Sequence, residues 1–156
     1  MNCACCAACD PWRDKLCHNV TVLRVFSLST PTTQPFAAPD LESIREAFRR
    51  ISPHIERTPV MISDALDELA GAMLYFKCEN LQLSGSFKIR GASNAVFSLS
   101  EAEAARGVVT HSSGNHGAAV ARAAKLRGIP AHIVMPSNSA KVKVRAVESY
   151  DAHIVF

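Results

Sequence analysis

From Asp40 onward the chain shows apolar periodicities that change from one segment to the next. Leu41, Ile44, Ala47, Phe48 and Ile51 share one side of a helical repeat, and Asp40 is suited to cap the free N–H groups ahead of it, so a helix is predicted there. Pro53 ends it. Arg57-Thr58-Pro59 leads into a short extended segment around Val60–Ile62, and the apolar, aromatic run Met73–Lys77 reads as a strand. A loop through Ser84-Gly85-Ser86 precedes a helix expected from Lys88 to Ser98. Strand and helix then alternate. Val108–Thr110, Ala131–Met135 and His153–Phe156 read as strands; Asn115–Arg127 and Ala140–Ser149 read as helices. Gly128 is a natural helix stop, and Pro130 prevents continuation. Repeated strand–helix units with short connections predict an α/β fold, a parallel sheet with helices on both faces. The pattern breaks off inside its last strand, so the expectation is an incomplete fold in a chain truncated at its C-terminal end.

Residues 1–39 have a different texture. Five of the six cysteines (Cys3, Cys5, Cys6, Cys9 and Cys17) lie there, followed by a Ser/Thr/Pro-rich stretch from Ser27 to Pro39. Cys3, Cys6 and Cys9 form overlapping CxxC pairs, but no histidine or cysteine cluster follows at zinc-finger spacing. Residues 1–39 are therefore expected to be a flexible or targeting-like leader; a transit peptide and an upstream coding artefact both remain open. The domain expected from residue 40 to 156 contains Cys78, whose apolar surroundings predict a buried, inert thiol.

Composition narrows the function classes. The chain has 156 residues, 48% of them hydrophobic and 20% charged, as in an ordinary globular domain. Its formal charge is only +3, and the trios Lys141, Lys143, Arg145 and Arg122, Lys125, Arg127 read as solvated helix faces rather than a nucleic-acid patch. No apolar stretch is long enough to span a bilayer. Neither a nucleic acid nor a membrane is expected as a partner.

Two loops carry candidate chemistry. Ser112-Ser113-Gly114-Asn115-His116-Gly117 joins a predicted strand to a predicted helix, the place where ligands gather in parallel sheets. Its small residues permit close backbone approach, and free N–H groups at the helix start favour an anion such as a carboxylate. The simpler alternative is a helix cap with spare polar groups. Lys88 sits in Ser84-Gly85-Ser86-Phe87-Lys88-Ile89-Arg90-Gly91. Partly apolar surroundings would make its amine a better nucleophile toward an aldehyde. Arg90 is expected to be a structural anchor.

Ser86-Phe87-Lys88-Ile89-Arg90-Gly91-Ala92 followed by Ser112-Ser113-Gly114-Asn115-His116-Gly117 resembles the fold-type II, tryptophan synthase β-like pyridoxal-phosphate enzymes, in the branch of serine racemases and serine/threonine dehydratases. The resemblance runs from Asp40 through Phe156, including Arg57-Thr58-Pro59-Val60 and Phe76-Lys77-Cys78-Glu79-Asn80. It implies that residues 40–156 are the N-terminal part of the catalytic region, with most of its small domain. It further implies that Lys88 carries pyridoxal 5'-phosphate as a Schiff base and removes the substrate's α-proton. Asn115 should donate to the ring's 3-oxygen, while Phe87 packs near the ring or fills the core. Ser112, Asn115 and His116, with backbone N–H groups of the loop, should hold the substrate carboxylate.

Ser113 distinguishes members of the family. Racemase-like members have serine at this position and plain dehydratases often have alanine, so the resemblance implies a second acid/base facing Lys88 across the α-carbon. The implied activity interconverts L- and D-serine and eliminates water from serine, with threonine as a further substrate; threonine dehydratase is the alternative. His116 argues against the cysteine-synthase and threonine-synthase branches, where threonine more often follows the asparagine. His54, His111, His132 and His153 show no ligand spacing and are expected to be structural. A homodimer and a divalent cation (Mg or Ca) with ATP as effectors are also implied; the reduced conditions that suit Cys78 and the cofactor chemistry point to a cytoplasmic location, or an organelle if residues 1–39 are a transit peptide. Leu83 stands where a polar or basic residue would help a nucleotide site. The family's phosphate-cradling glycine loop and metal carboxylates are expected beyond Phe156. A non-catalytic fragment acting through subunit association is therefore a competing expectation, and a cysteine-rich metal or redox leader on a degenerate domain is a third.

Overall fold

The computed structural model describes residues 38–156, so the leader expected over residues 1–39, cysteine cluster included, lies almost wholly outside the described residues. Helix α1 (Leu41–Ile51) starts where the capping argument places it, with the Asp40 carboxylate accepting from the Ser43 N–H at 2.8 Å. Pro53 lies in a single 3₁₀ turn, Ser52–His54, that closes the helix. The apolar stripe of α1 behaves differently from a core face: Ile51 is buried, but Leu41, Ile44 and Phe48 are exposed. Strands β1 (Val60–Met61) and β2 (Phe76–Lys77) pair antiparallel, Val60 opposite Lys77 and Met61 opposite Phe76, and form a sheet of their own. Between them lies helix α2 (Asp64–Ala70), whose seven residues carry too short an apolar repeat to predict.

Helix α3 (Lys88–Phe97) is followed by α4 (Glu101–Ala104), a one-turn helix held by a capping box between Ser100 and Glu103. Strands β3 (Val108–His111), β4 (Ala131–Val134) and β5 (His153–Val155) form a parallel sheet in the order of the chain, in register from Val108 opposite Ala131 and from His132 opposite His153. They are connected by α5 (Asn115–Arg127) and α6 (Lys141–Glu148). The α/β class with a parallel sheet is the one expected from the alternation.

Helix α5 occupies the centre of this unit. It packs on β3 and β4 and also along α3, which buries Gly117 to Ala121, Ala123 and Ala124. Alanine on several sides of the helix lets neighbouring backbones approach closely without losing helix propensity. Around it close Ile89, Val96, Val108, Ile133, Met135 and Val147, each nearly or fully inaccessible. Gly128 ends α5 in the left-handed conformation at φ 72°, its N–H returned to the helix's last carbonyls. Along β4, Ala131 and Ile133 are buried while His132 and Val134 are only half-buried, the period-two pattern of a strand. His132 meets His153 edge to face at 5.3 Å between ring centroids, and His54 stacks on Phe97 at 4.0 Å.

Candidate active site

The loop before Lys88 is shaped by a buried glutamine. The Gln82 side chain donates to the Glu56 carbonyl at 2.7 Å and accepts from the N–H groups of Glu56 at 2.8 Å and Leu83 at 2.9 Å. The chain then makes a tight turn, Leu83–Gly85, with Ser84 in the left-handed region at φ 64°. A serine held there is strained. Ser86 is extended, and α3 begins at Lys88. Two residues on, Arg90 grips Glu79 with both arms, at 2.8 and 2.6 Å, and Glu79 also accepts from the Thr58 hydroxyl at 2.6 Å. Lys77 donates to the Thr58 carbonyl at 2.6 Å. The Arg90 hydrogen bonds hold the Glu79 carboxyl down at about 2. Arg90 is thus a structural anchor that ties the Lys88 loop to the segments around Thr58 and Glu79.

Lys88 and Phe87 depart from the sequence expectation. Both side chains are exposed, and the Lys88 ammonium lies over the Phe87 ring, 4.8 Å from its centroid. Ile89 takes the buried place against α5, and a helix turns each residue ~100° from the last, so Lys88 points away from the core. Phe87 is accordingly not a core filler.

The second loop is organised by Ser112. Its hydroxyl oxygen accepts from the N–H groups of Gly114 at 3.2 Å and Gly117 at 3.0 Å. Two of the N–H groups expected to meet a carboxylate are therefore already used. Those of Asn115 and His116, at the open first turn of α5, have no partner among the described residues. Glycine is favoured at 117, since a Cβ there would come to about 3.0 Å from both the Ile133 side chain and the Ser112 carbonyl. Ser113 is exposed. His116 has its pKa lowered, first by partial burial and second by the positive charge of Lys88. The Leu83–Gly85 turn also rests against α5. The two motifs, far apart in sequence, are therefore both carried on or against α5.

Lys143 was not expected at this place. Read from sequence as part of a solvated helix face, it donates from Nζ to the Asn115 Oδ1 at 2.6 Å. One signal could have revealed it: a lysine in the first turn of α6 opposes the helix dipole, which makes a separate use for its charge more plausible. The other cationic trio is engaged as well. Arg122 donates to the His54 carbonyl at 3.3 Å, Lys125 pairs with Asp151 at 2.8 Å, and Arg127 pairs with Glu101 at 3.0 Å. Cys78 is a free, half-buried thiol, less enclosed than expected. Ser139 turns back on the Pro136 carbonyl, so Pro136 to Ser139 is an ordinary turn. A cavity of about 510 Å³ is lined in part by Phe48, Arg57, Lys77 and Arg90, without Lys88 among its lining residues. Two of its cations are already committed to Thr58 and Glu79.

The residues of these two motifs fit a small anionic aldehyde. Lys88 offers an accessible amine. The Ser84 and Ser86 hydroxyls beside it are buried without a hydrogen-bond partner among the described residues, an arrangement that a polar ligand would relieve. The open N–H groups of α5 supply positive potential.

The family described as "Pyridoxal-phosphate dependent enzyme" matches residues 51–156. A serine racemase of Oryza sativa subsp. indica is 57% identical over 119 residues, covering 76% of this chain and 35% of that protein. A beta-hydroxyaspartate dehydratase of Paracoccus denitrificans is 54% identical over 112 residues, 72% of this chain and 36% of that protein. Among solved structures, maize serine racemase superposes with a TM-score of 0.74 at 58% identity, over 76% of this chain and 36% of that one. The chain thus spans about a third of the length of the curated relatives it matches. With its α/β fold and the lysine and serine-rich loops carried on or against one helix, the chain belongs to the family of pyridoxal-phosphate dependent enzymes.

Proposed function

We propose that the protein containing this chain is a serine racemase that also eliminates water from serine, releasing pyruvate and ammonia. The observation that carries the reading is the packing of α3, which begins at Lys88, and of the Leu83–Gly85 turn against α5, the helix that the Ser112–Gly117 loop opens. When bound, pyridoxal phosphate supplies an electron sink for the pair left behind at the substrate's α-carbon. The protein's own groups then have positional and proton-handling tasks. Lys88 Nζ takes the α-proton from one face, and Ser113 Oγ delivers a proton to the other. The Ser112 hydroxyl proton, with the N–H groups of Asn115 and His116, holds the carboxylate and so fixes which faces Lys88 and Ser113 see. Neutral His116 keeps one ring N–H with which to donate a hydrogen bond to this carboxylate.

The substrate is a small amino acid, serine foremost and threonine second. A dehydratase without racemisation is the second reading, favoured by the 54% identity to a beta-hydroxyaspartate dehydratase. Among the described residues no group of three His, Cys, Asp or Glu is placed to hold a metal ion, so a divalent effector would draw its ligands from elsewhere. No described helix is long and apolar enough to cross a membrane. Borohydride reduction after incubation with pyridoxal phosphate, followed by peptide mapping, tests the assignment: the label is expected on Lys88 and lost in Lys88→Ala. A label elsewhere, or none, rejects it. In the complete protein, Ser113→Ala is expected to abolish racemisation and retain elimination from L-serine; retained racemisation would decide for another acid/base.

A further inference from the structure

The geometry points to Lys143 as a positioning residue that fixes which end of the Asn115 amide faces the cofactor, an inference that rests on the cofactor reading above. An ammonium has donors only, and a carboxamide has one acceptor end and one donor end. The 2.6 Å contact from Lys143 Nζ must therefore be made to Oδ1, and the amide is fixed in one orientation without appeal to how its atoms are labelled. Both Nδ2 protons are turned away from Lys143. The pyridoxal 3-oxygen is an acceptor, so the amide presents the end that such an atom needs. The reverse orientation would set two oxygens against each other.

Three further observations separate this contact from an incidental surface pair. Asn115 opens α5, is exposed, and has no other side-chain hydrogen bond among the described residues, so Lys143 is its one hold there. Lys143 lies in the first turn of α6, where the helix dipole disfavours a cation and the bond to an oxygen offsets that penalty. The sheet also brings the two together by construction. β3 and β4 run parallel and in register, His111 opposite Val134, so the loops that follow them leave the same edge side by side. The first turn of each succeeding helix then lies within reach of the other, and α5 packs against α6. The positive charge behind the carbonyl also polarises the amide, which strengthens its N–H groups as donors.

The test compares Lys143→Met, which removes the donor and keeps the length, with Lys143→Arg, which keeps charge and donors. In ¹⁵N-labelled protein without cofactor, the Asn115 side-chain amide signals, assigned by their loss in Asn115→Asp, should move toward free-amide positions in Lys143→Met and stay near their original positions in Lys143→Arg. With pyridoxal phosphate added, Lys143→Met should shift the visible imine band and its pH midpoint and weaken cofactor Kd by about five- to tenfold, the loss of one modest hydrogen bond; Lys143→Arg should restore most of both. Unchanged Asn115 signals in Lys143→Met would overturn the tether. An altered amide with an unaltered imine band would overturn its role toward the ring. Absence of any imine band in the unsubstituted protein would instead reject the cofactor reading and the ring contact with it, while the amide signals still decide whether Lys143 holds Asn115.

Discussion

Between Leu41 and Lys77 the large apolar side chains mostly face outward, whereas between Ile89 and Val147 they face one another. The first stretch exposes Leu41, Ile44, Phe48, Val60, Met61 and Phe76, and polar bonds around Glu79, Thr58, Gln82 and Arg90 tie it to the rest. The second wraps a parallel sheet and an alanine-rich helix around a continuous core. Both stretches show apolar periodicity in the sequence. Periodicity shows which side of an element is apolar, but it carries no information about what covers that side. Lys88 lies at the seam: the polar ties set its loop, and the core sets its helix.

The contrast predicts unequal responses to mutation. Ile133→Ala, in the core against Gly117, should lower the unfolding free energy by about 3 kcal/mol, read by denaturant titration; a cost close to zero would mean that the core is not the main support of this stretch. Glu79→Gln should cost less, about 2 kcal/mol, because the pair it breaks is partly open to solvent. Its pH dependence is more diagnostic. Glu79 has a folded pKa of about 2 against an ordinary 4.5. Its contribution is therefore full above the ordinary value and drains away as pH falls toward 2. Thermal unfolding of Glu79→Gln should show a flatter dependence across that window, and equal slopes in both proteins would remove Glu79 from its central place. Ile44→Ser should change stability by no more than about 0.5 kcal/mol, since its side chain is already in water. A large loss there would mean that α1 is covered in solution.

Much of the second stretch was legible beforehand. α5 falls on Asn115–Arg127 as expected because Gly128 and Pro130 punctuate it strongly, and the three parallel strands follow from their short β-branched runs. α4 was not expected, although Ser100 and Glu103 stand at capping-box spacing, because a single turn carries no apolar repeat. Nor were α2 and the antiparallel pairing of β1 with β2, since two-residue strands and a seven-residue helix are specified by contacts rather than by their own pattern. In the site, the motif residues stood out in the sequence because their types and spacing are unusual. Lys143 did not, because a lysine on a helix is common and its partner lies in a different strand–helix unit. The exposure of Lys88 was also hidden: apolar neighbours in sequence are not apolar neighbours in space.

The close approach at Gly117 has a consequence for recognition. With Ile133 on one side and the Ser112 carbonyl on the other, and with the Ser112 hydroxyl clamping two N–H groups, the loop from Ser112 to Gly117 has little room to rearrange. A ligand arriving there meets a preorganised surface and loses little free energy to ordering it. Every amino acid shares the carboxylate that this surface is proposed to hold. Discrimination among amino acids then falls to whatever surrounds the substrate's side chain, and the rigid loop sets a common baseline of affinity on which those differences act.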